Sequence, residues 1–141
     1  MSDIDKFSSI LKQGNVSVTK PRIAIFQTLQ SLTEPVKSGE IARLTPSVDR
    51  ASVYRALELF ATLGITNTVV RGWTPLTELS EPFRAHHHHI TCVNCGKSES
   101  IEDPTLEDVL FLIAHRRGYQ LKEHNAELTG LCADCQKLSQ I

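Results

Sequence analysis

The sequence predicts an α+β chain in two parts: a helical unit closed by a β-hairpin, then a small unit of sheet and helix tied by cysteines. Three observations predict this. Apolar residues recur at helical spacing through residue 63, then give way to two β-prone runs around Arg71-Gly72. A polar, proline-broken stretch, Ser80-Glu81-Pro82-Phe83-Arg84, follows. Behind it stand the four cysteines of the chain, as two Cys-x-x-Cys pairs separated by 36 residues. The expected division is residues 1–81, a hinge at 82–85, and a second unit at 86–141.

In the first unit, Ile4, Phe7, Ile10 and Leu11 mark a helix that ends at Gly14. Thr19 or Lys20 precedes a second helix with Pro21 in its first turn, where the missing N–H costs nothing. Ile25, Phe26, Leu29 and Leu32 form its apolar face, and Glu34-Pro35 breaks it. A short helix follows from Ser38, a candidate N-cap, through Leu44. Asp49 caps the next, from about Arg50 to Leu63, in which Val53, Ala56, Leu57, Phe60 and Leu63 share one face. Gly64 ends it. Ile65–Val70 and Trp73–Leu79 then read as a hairpin.

Short helices followed by a hairpin make the winged helix-turn-helix pattern. The plain alternative for residues 50–63 is a core helix with a solvated polar face. The order of elements favours DNA, because a helix with arginine on its outer face suits the major groove. Arginine bonds guanine O6 and N7, and apolar contacts meet thymine methyls. Arg55 and Tyr54 are the candidate base-reading residues, with Ser52 on the same helix. Arg50 and Lys20 are the candidates for phosphate contacts.

In the second unit His86–Cys92 and Ser98–Ile101 read as strands. Asp103 or Pro104 opens a helix whose expected buried face is Leu106, Val109, Leu110, Ile113 and Ala114, closed by Gly118. Tyr119–Leu121 and Ala126–Leu131 supply further expected strands, so the unit is α+β, with a small sheet and one main helix.

Net charge is −1, with a net of +2 in residues 1–84 and −3 in residues 85–141. That imbalance points only mildly to an anion-binding front half. No apolar run approaches the 18 or so residues of a membrane span. The start, Met1-Ser2-Asp3-Ile4-Asp5, lacks the basic and apolar regions of a signal peptide, so a cytoplasmic protein without membrane contact is expected.

In a reducing compartment two Cys-x-x-Cys pairs read as thiolate metal ligands. Cys92, Cys95, Cys132 and Cys135 make a closed tetrahedral set for structural Zn²⁺. A thioredoxin-like redox pair would need only one Cys-x-x-Cys, opening a helix. The run His86-His87-His88-His89 leads into the first pair. On a strand its side chains alternate, so His86 and His88 face one way and His87 and His89 the other. Two pairs can serve two ions, with further donors among Glu78, Glu81, Glu107, His115 and His124, and Glu99 and Glu102 behind them. The alternative is a histidine run that binds nothing.

Several segments together resemble the ferric uptake regulator family of metal-dependent bacterial repressors. They are the winged helix, Ala51-Ser52-Val53-Tyr54-Arg55-Ala56-Leu57, the run His86–His89 followed by Cys92-Val93-Asn94-Cys95-Gly96-Lys97, and the second Cys-x-x-Cys. The resemblance spans about Val18 to Cys135. It implies that the four cysteines hold structural zinc and that Tyr54 and Arg55 contact bases. It further implies that His87 and His89 belong to a regulatory site near the hinge, and that His86, His88, Glu107 and His124 form a site in the dimerisation domain. Three departures stand out. Glu34-Pro35 occupies the place where many members carry a histidine ligand. No cysteine follows the wing, which leaves Glu78 and Glu81 as donors there. Ser100 stands near the position where peroxide sensors use aspartate.

The expectation is a homodimeric, metal-dependent repressor that binds a double-stranded DNA operator and controls metal homeostasis. Its regulatory ion is Zn²⁺ or Fe²⁺, and no enzymatic activity is expected. The rivals are a zinc-dependent hydrolytic enzyme, for which no His-Glu-x-x-His is present, and a zinc-bound adaptor that does not bind DNA.

Overall fold

A computed structural model of the chain describes residues 1–139. They divide into two compact units, Met1–Ala85 and the residues from His86 onward.

The first unit runs α1 (Asp3–Gln13), α2 (Lys20–Ser31), α3 (Ser38–Leu44), α4 (Arg50–Thr62), β1 (Thr66–Arg71) and β2 (Thr74–Leu79). Its helix starts are chemically marked. Ser2 and Asp5 form a capping box on α1, the Thr19 hydroxyl accepts from Arg22 N on α2, and the Asp49 carboxylate accepts from Ser52 N on α4. One expectation shifts: Ser38 is the first residue of α3, and Lys37 occupies the cap position without a side-chain bond.

The apolar faces meet in one core. Phe7 stacks on Phe26 at 4.3 Å between ring centroids and meets Phe60 edge-on at 5.3 Å. Leu11, Ile25, Leu29, Ile41, Val53, Leu57, Ile65 and Leu79 fill the space around them. The turn between α3 and α4 is held by Thr45, which is buried and satisfied. Its hydroxyl lies 2.8 Å from the Ile41 carbonyl and 2.7 Å from the Thr28 hydroxyl.

After α4 the chain reverses at Gly64, whose φ of +72° is the left-handed conformation that glycine adopts without a Cβ clash. β1 and β2 pair antiparallel from Thr66↔Leu79 to Arg71↔Thr74. Gly72-Trp73 forms the two-residue tip, with Trp73 fully exposed.

The second unit runs β3 (His88–Cys92), β4 (Ser98–Ile101), α5 (Pro104–Arg116), β5 (Glu127–Gly130) and α6 (Ala133–Leu138). Its sheet has the order β4-β3-β5, antiparallel to β4 and parallel to β5. The parallel pairing requires a crossover, which α5 supplies. As a result Gly130 comes to lie opposite Cys92, and Cys132 follows two residues later. The crossover therefore delivers the second cysteine pair to the first.

Three expectations differ here. The first strand begins at His88, not His86. Tyr119–Leu121 forms no strand, because a three-residue run gains no stability without a neighbour to pair with, and none of the described strands pairs with it. No residue of α5 is buried; Val109, Phe111, Leu112 and Ile113 stay about half exposed, since no second layer covers them among the described residues. The short α6 was not anticipated at all.

Candidate functional site

The cysteines come together at one end of β3. All four sulfurs lie within 4.8 Å of one another, and Cys95 Sγ is 3.8 Å from Cys132 Sγ. A tetrahedral zinc with bonds of about 2.3 Å places its sulfurs about 3.8 Å apart, so the set fits zinc. The backbone aids ionisation. The amides of Cys132 and Cys95 pull the Cys92 thiol down to about 6. At Cys135 the Asn94 amide works the same way, but the Cys132 thiol, burial and the other sulfurs outweigh it and push the thiol up to about 11. Zinc takes thiolates, so its binding releases whatever protons the four thiols still hold and weakens as pH falls.

A second cluster sits beside β3. His88 Nε2 lies 2.6 Å from Glu107 Oε1, and His124 Nε2 lies 2.7 Å from Glu107 Oε2. His86 Nε2 is 3.2 Å from His88 Nε2 and 2.9 Å from His124 Nε2. Three rings thus present the same nitrogen, with a carboxylate, to one point. Tetrahedral nitrogen ligands at about 2.0–2.1 Å would stand about 3.3 Å apart, and these four donors, now hydrogen-bonded to one another and all within 4.8 Å, need only small shifts to close on one ion. Burial pushes the Glu107 carboxyl up, but the His88 hydrogen bond and the neighbouring His124 and His86 outweigh it and hold it below its ordinary range.

The other two histidines form a pair of their own. The rings of His87 and His89 are 4.7 Å apart and nearly perpendicular. His89 Nδ1 lies 2.8 Å from Glu127 Oε1 on β5. Glu127 was not among the sequence candidates. It comes to His89 through strand pairing between residues 38 apart, for which the local sequence carries no signal.

Three further donors offered by the sequence, His115, Glu99 and Glu102, are exposed in the second unit and join neither cluster, Glu99 pairing instead with Lys97 at 3.2 Å; the other candidates lie in the first unit. Glu78 is buried on β2 and ion-pairs with Arg84 at 3.5 Å, while Glu81 is exposed. Of the residues offered for DNA, Arg50, Tyr54 and Arg55 are exposed on α4, opposite the face of Val53, Ala56, Leu57 and Phe60. They are held in order. Asp49 accepts from the Ser52 hydroxyl at 2.6 Å, and that oxygen accepts from Arg55 Nη2 at 3.1 Å. Arg50 Nη2 donates to Tyr54 Oη at 3.0 Å, with the guanidinium 5.3 Å from the ring centroid. Lys20 is exposed at the start of α2.

Residues 13–129 match the model of the ferric uptake regulator family. The chain belongs to the ferric uptake regulator family. A ferric uptake regulation protein of Campylobacter jejuni is 32% identical over 142 residues, covering 94% of this chain and 87% of the relative. The ferric uptake regulator of Vibrio cholerae, whose DNA-binding domains are described as rearranged, superposes with a TM-score of 0.72 at 29% identity. That match covers 89% of this chain and 98% of the other. The regulator of Pseudomonas aeruginosa, described with manganese, gives a TM-score of 0.77 at 26% identity, over 89% and 97% of the two chains. Ferric uptake regulators are transcription regulators, and membership makes this chain a regulator of metal homeostasis. Its four-thiolate cluster fits a structural zinc by donor type and spacing. No helix among the described residues is long and apolar enough to cross a membrane.

Proposed function

We propose that the protein is a homodimeric repressor, zinc-responsive or iron-responsive, that binds a double-stranded DNA operator. The observation that carries this is the outer face of α4. Arg55 and Tyr54 stand exposed on a capped helix, each tethered by a neighbour that limits its conformations. Side chains ordered in advance lose less entropy on binding. Arg55 then reads a base edge with Tyr54 beside it and Ser52 as a further polar contact, while Arg50 and Lys20 meet phosphates.

The second unit supports a dimer. β5 pairs on one side only among the described residues, and α5 exposes Val109, Phe111, Leu112 and Ile113. An open strand edge and an exposed apolar helix face are the surfaces that a second copy of the chain would cover. Two recognition helices then require half-sites about one helical turn apart, roughly 34–36 Å, or a multiple of it.

His87 and His89 are the proposed ligands of the regulatory ion, with the carboxylates Glu78 and Glu81 as expected further donors. The ion supplies binding energy that favours the DNA-binding form, provided it binds that form more tightly than the other. His86, His88, Glu107 and His124 hold a second ion in the dimerisation domain. Imidazole and carboxylate donors accept zinc and iron alike.

The test is operator binding after mild chelation that leaves the structural zinc in place, with Zn²⁺ or Fe²⁺ then restored. Affinity should rise on restoration and fall with increasing salt. Equal binding with and without metal refutes metal control. Arg55→Ala should weaken operator binding by about 1–3 kcal/mol and relax base preference at one position. Unchanged binding removes Arg55 from the interface.

A further inference from the structure

His89 lies within the central strand of the second unit, and its two strand neighbours differ. On the β4 side its partner in register is Ser100; on the β5 side it is Glu127. The Glu127 carboxylate reaches His89 Nδ1 at 2.8 Å. The His89 side chain is 6% exposed and that of Glu127 is 19% exposed, so the contact is largely shielded from solvent.

That contact decides the state of the ring. An ionised carboxylate only accepts hydrogen bonds, so the proton between them belongs to Nδ1. A neutral imidazole protonated at Nδ1 carries its lone pair on Nε2. Nε2 is also the nitrogen that His86, His88 and His124 present to their own cluster.

We propose that Glu127 is the positioning residue of the regulatory site. It holds His89 in the tautomer and ring orientation that make Nε2 a metal ligand. This rests on the reading of His87 and His89 as ligands of the regulatory ion. Metal-bound histidines commonly donate their other N–H to a carboxylate, which fixes the ring and raises its basicity, and losing that partner weakens metal binding roughly 10–100-fold. Glu127 meets this requirement from the strand beside the ligand, so an outer strand of the sheet supports a ligand on its central strand.

The test uses the full chain loaded with structural zinc, in a His124→Ala background that disables the other histidine cluster. Co²⁺ is titrated in, and both its affinity and its visible absorption are read. Retention of one zinc per chain and an unchanged far-ultraviolet circular dichroism spectrum show that each variant is folded. His89→Ala should abolish the Co²⁺ site. Glu127→Leu should weaken it roughly 10–100-fold and shift the absorption bands. Glu127→Gln, whose amide oxygen still accepts from Nδ1, should keep the band positions and recover much of the affinity.

Glu127→Leu with the affinity and bands of the background overturns the proposal. So does Glu127→Gln losing as much as Glu127→Leu, which would make Glu127 a direct ligand. If Glu127→Leu fails to retain zinc, Glu127→Gln decides: a several-fold weakening with unmoved bands supports the proposal, and no change overturns it. Unaltered Co²⁺ binding in His89→Ala overturns instead the regulatory reading on which the proposal stands.

Discussion

The two units are held together by different physics. The first buries a dozen apolar side chains, three packed phenylalanines among them, and caps three of its four helices with side chains. The second buries no aliphatic side chain among its described residues; what it buries is Cys92, Cys135, His88 and His89. Hydrophobic burial folds the first unit. The second is organised around metal donors and leaves its apolar helix face uncovered. A small unit with so little core needs a metal or a partner for stability. The arrangement suits a regulator, because the part that gathers the metal donors is separate from the part that carries the arginine face.

The largest effect should come from removing the structural zinc. A structural zinc contributes on the order of 10 kcal/mol in small metal-folded domains. Strong chelation, or Cys92→Ser, should abolish amide-exchange protection across β3–β5 and leave α1, α2 and α4 protected. Equal loss in both units would break the contrast. The reciprocal change is Phe60→Ala, expected to destabilise the first unit by about 3–5 kcal/mol while zinc remains bound at one per chain. Loss of zinc in that variant would show that the two units fold as one.

A smaller effect concerns the uncovered face. Leu112→Glu puts a charge where a second copy is expected to pack, removing about 1.5–3 kcal/mol of apolar burial per side chain. Sedimentation should show a shift toward monomer with zinc content unchanged; an unaltered dimer would place the interface elsewhere.

The smallest effect is local to α4. The Ser52 hydroxyl and then its backbone N–H hold the Asp49 carboxyl below the ordinary aspartate range. A carboxylate depressed in the folded state contributes its cap fully above its unfolded value, about 3.9. It loses that contribution as pH falls through the lower folded value. The Ser52 amide resonance should therefore titrate below the ordinary aspartate range, and an inflection at or above it would show that the cap is not formed.

Much of this was legible from local signals. Thr19, Asp49 and Asp103 announce helix starts because a cap is chemistry within three residues. The cysteine pairs announce a metal because two short turns deliver four sulfurs. The histidine run reads as two opposed pairs because a strand alternates its side chains. Each of these needs only neighbours along the chain.

The sequence by itself thus determined the element order of the first unit, the donor types and the split of the histidine run into two pairs, while the donors that complete each pair were named only through the family resemblance. The tertiary structure alone decided four things. It left the expected face of α5 uncovered, because burial depends on what packs above a helix and not on its periodicity. It left Tyr119–Leu121 unpaired, because a strand forms only where the fold lays a partner alongside it. It made α6 from residues that carry no helical stripe, beginning directly at a zinc-site cysteine. It set Glu127 against His89, because the register of a parallel pair closed by a crossover helix is fixed only when the sheet forms.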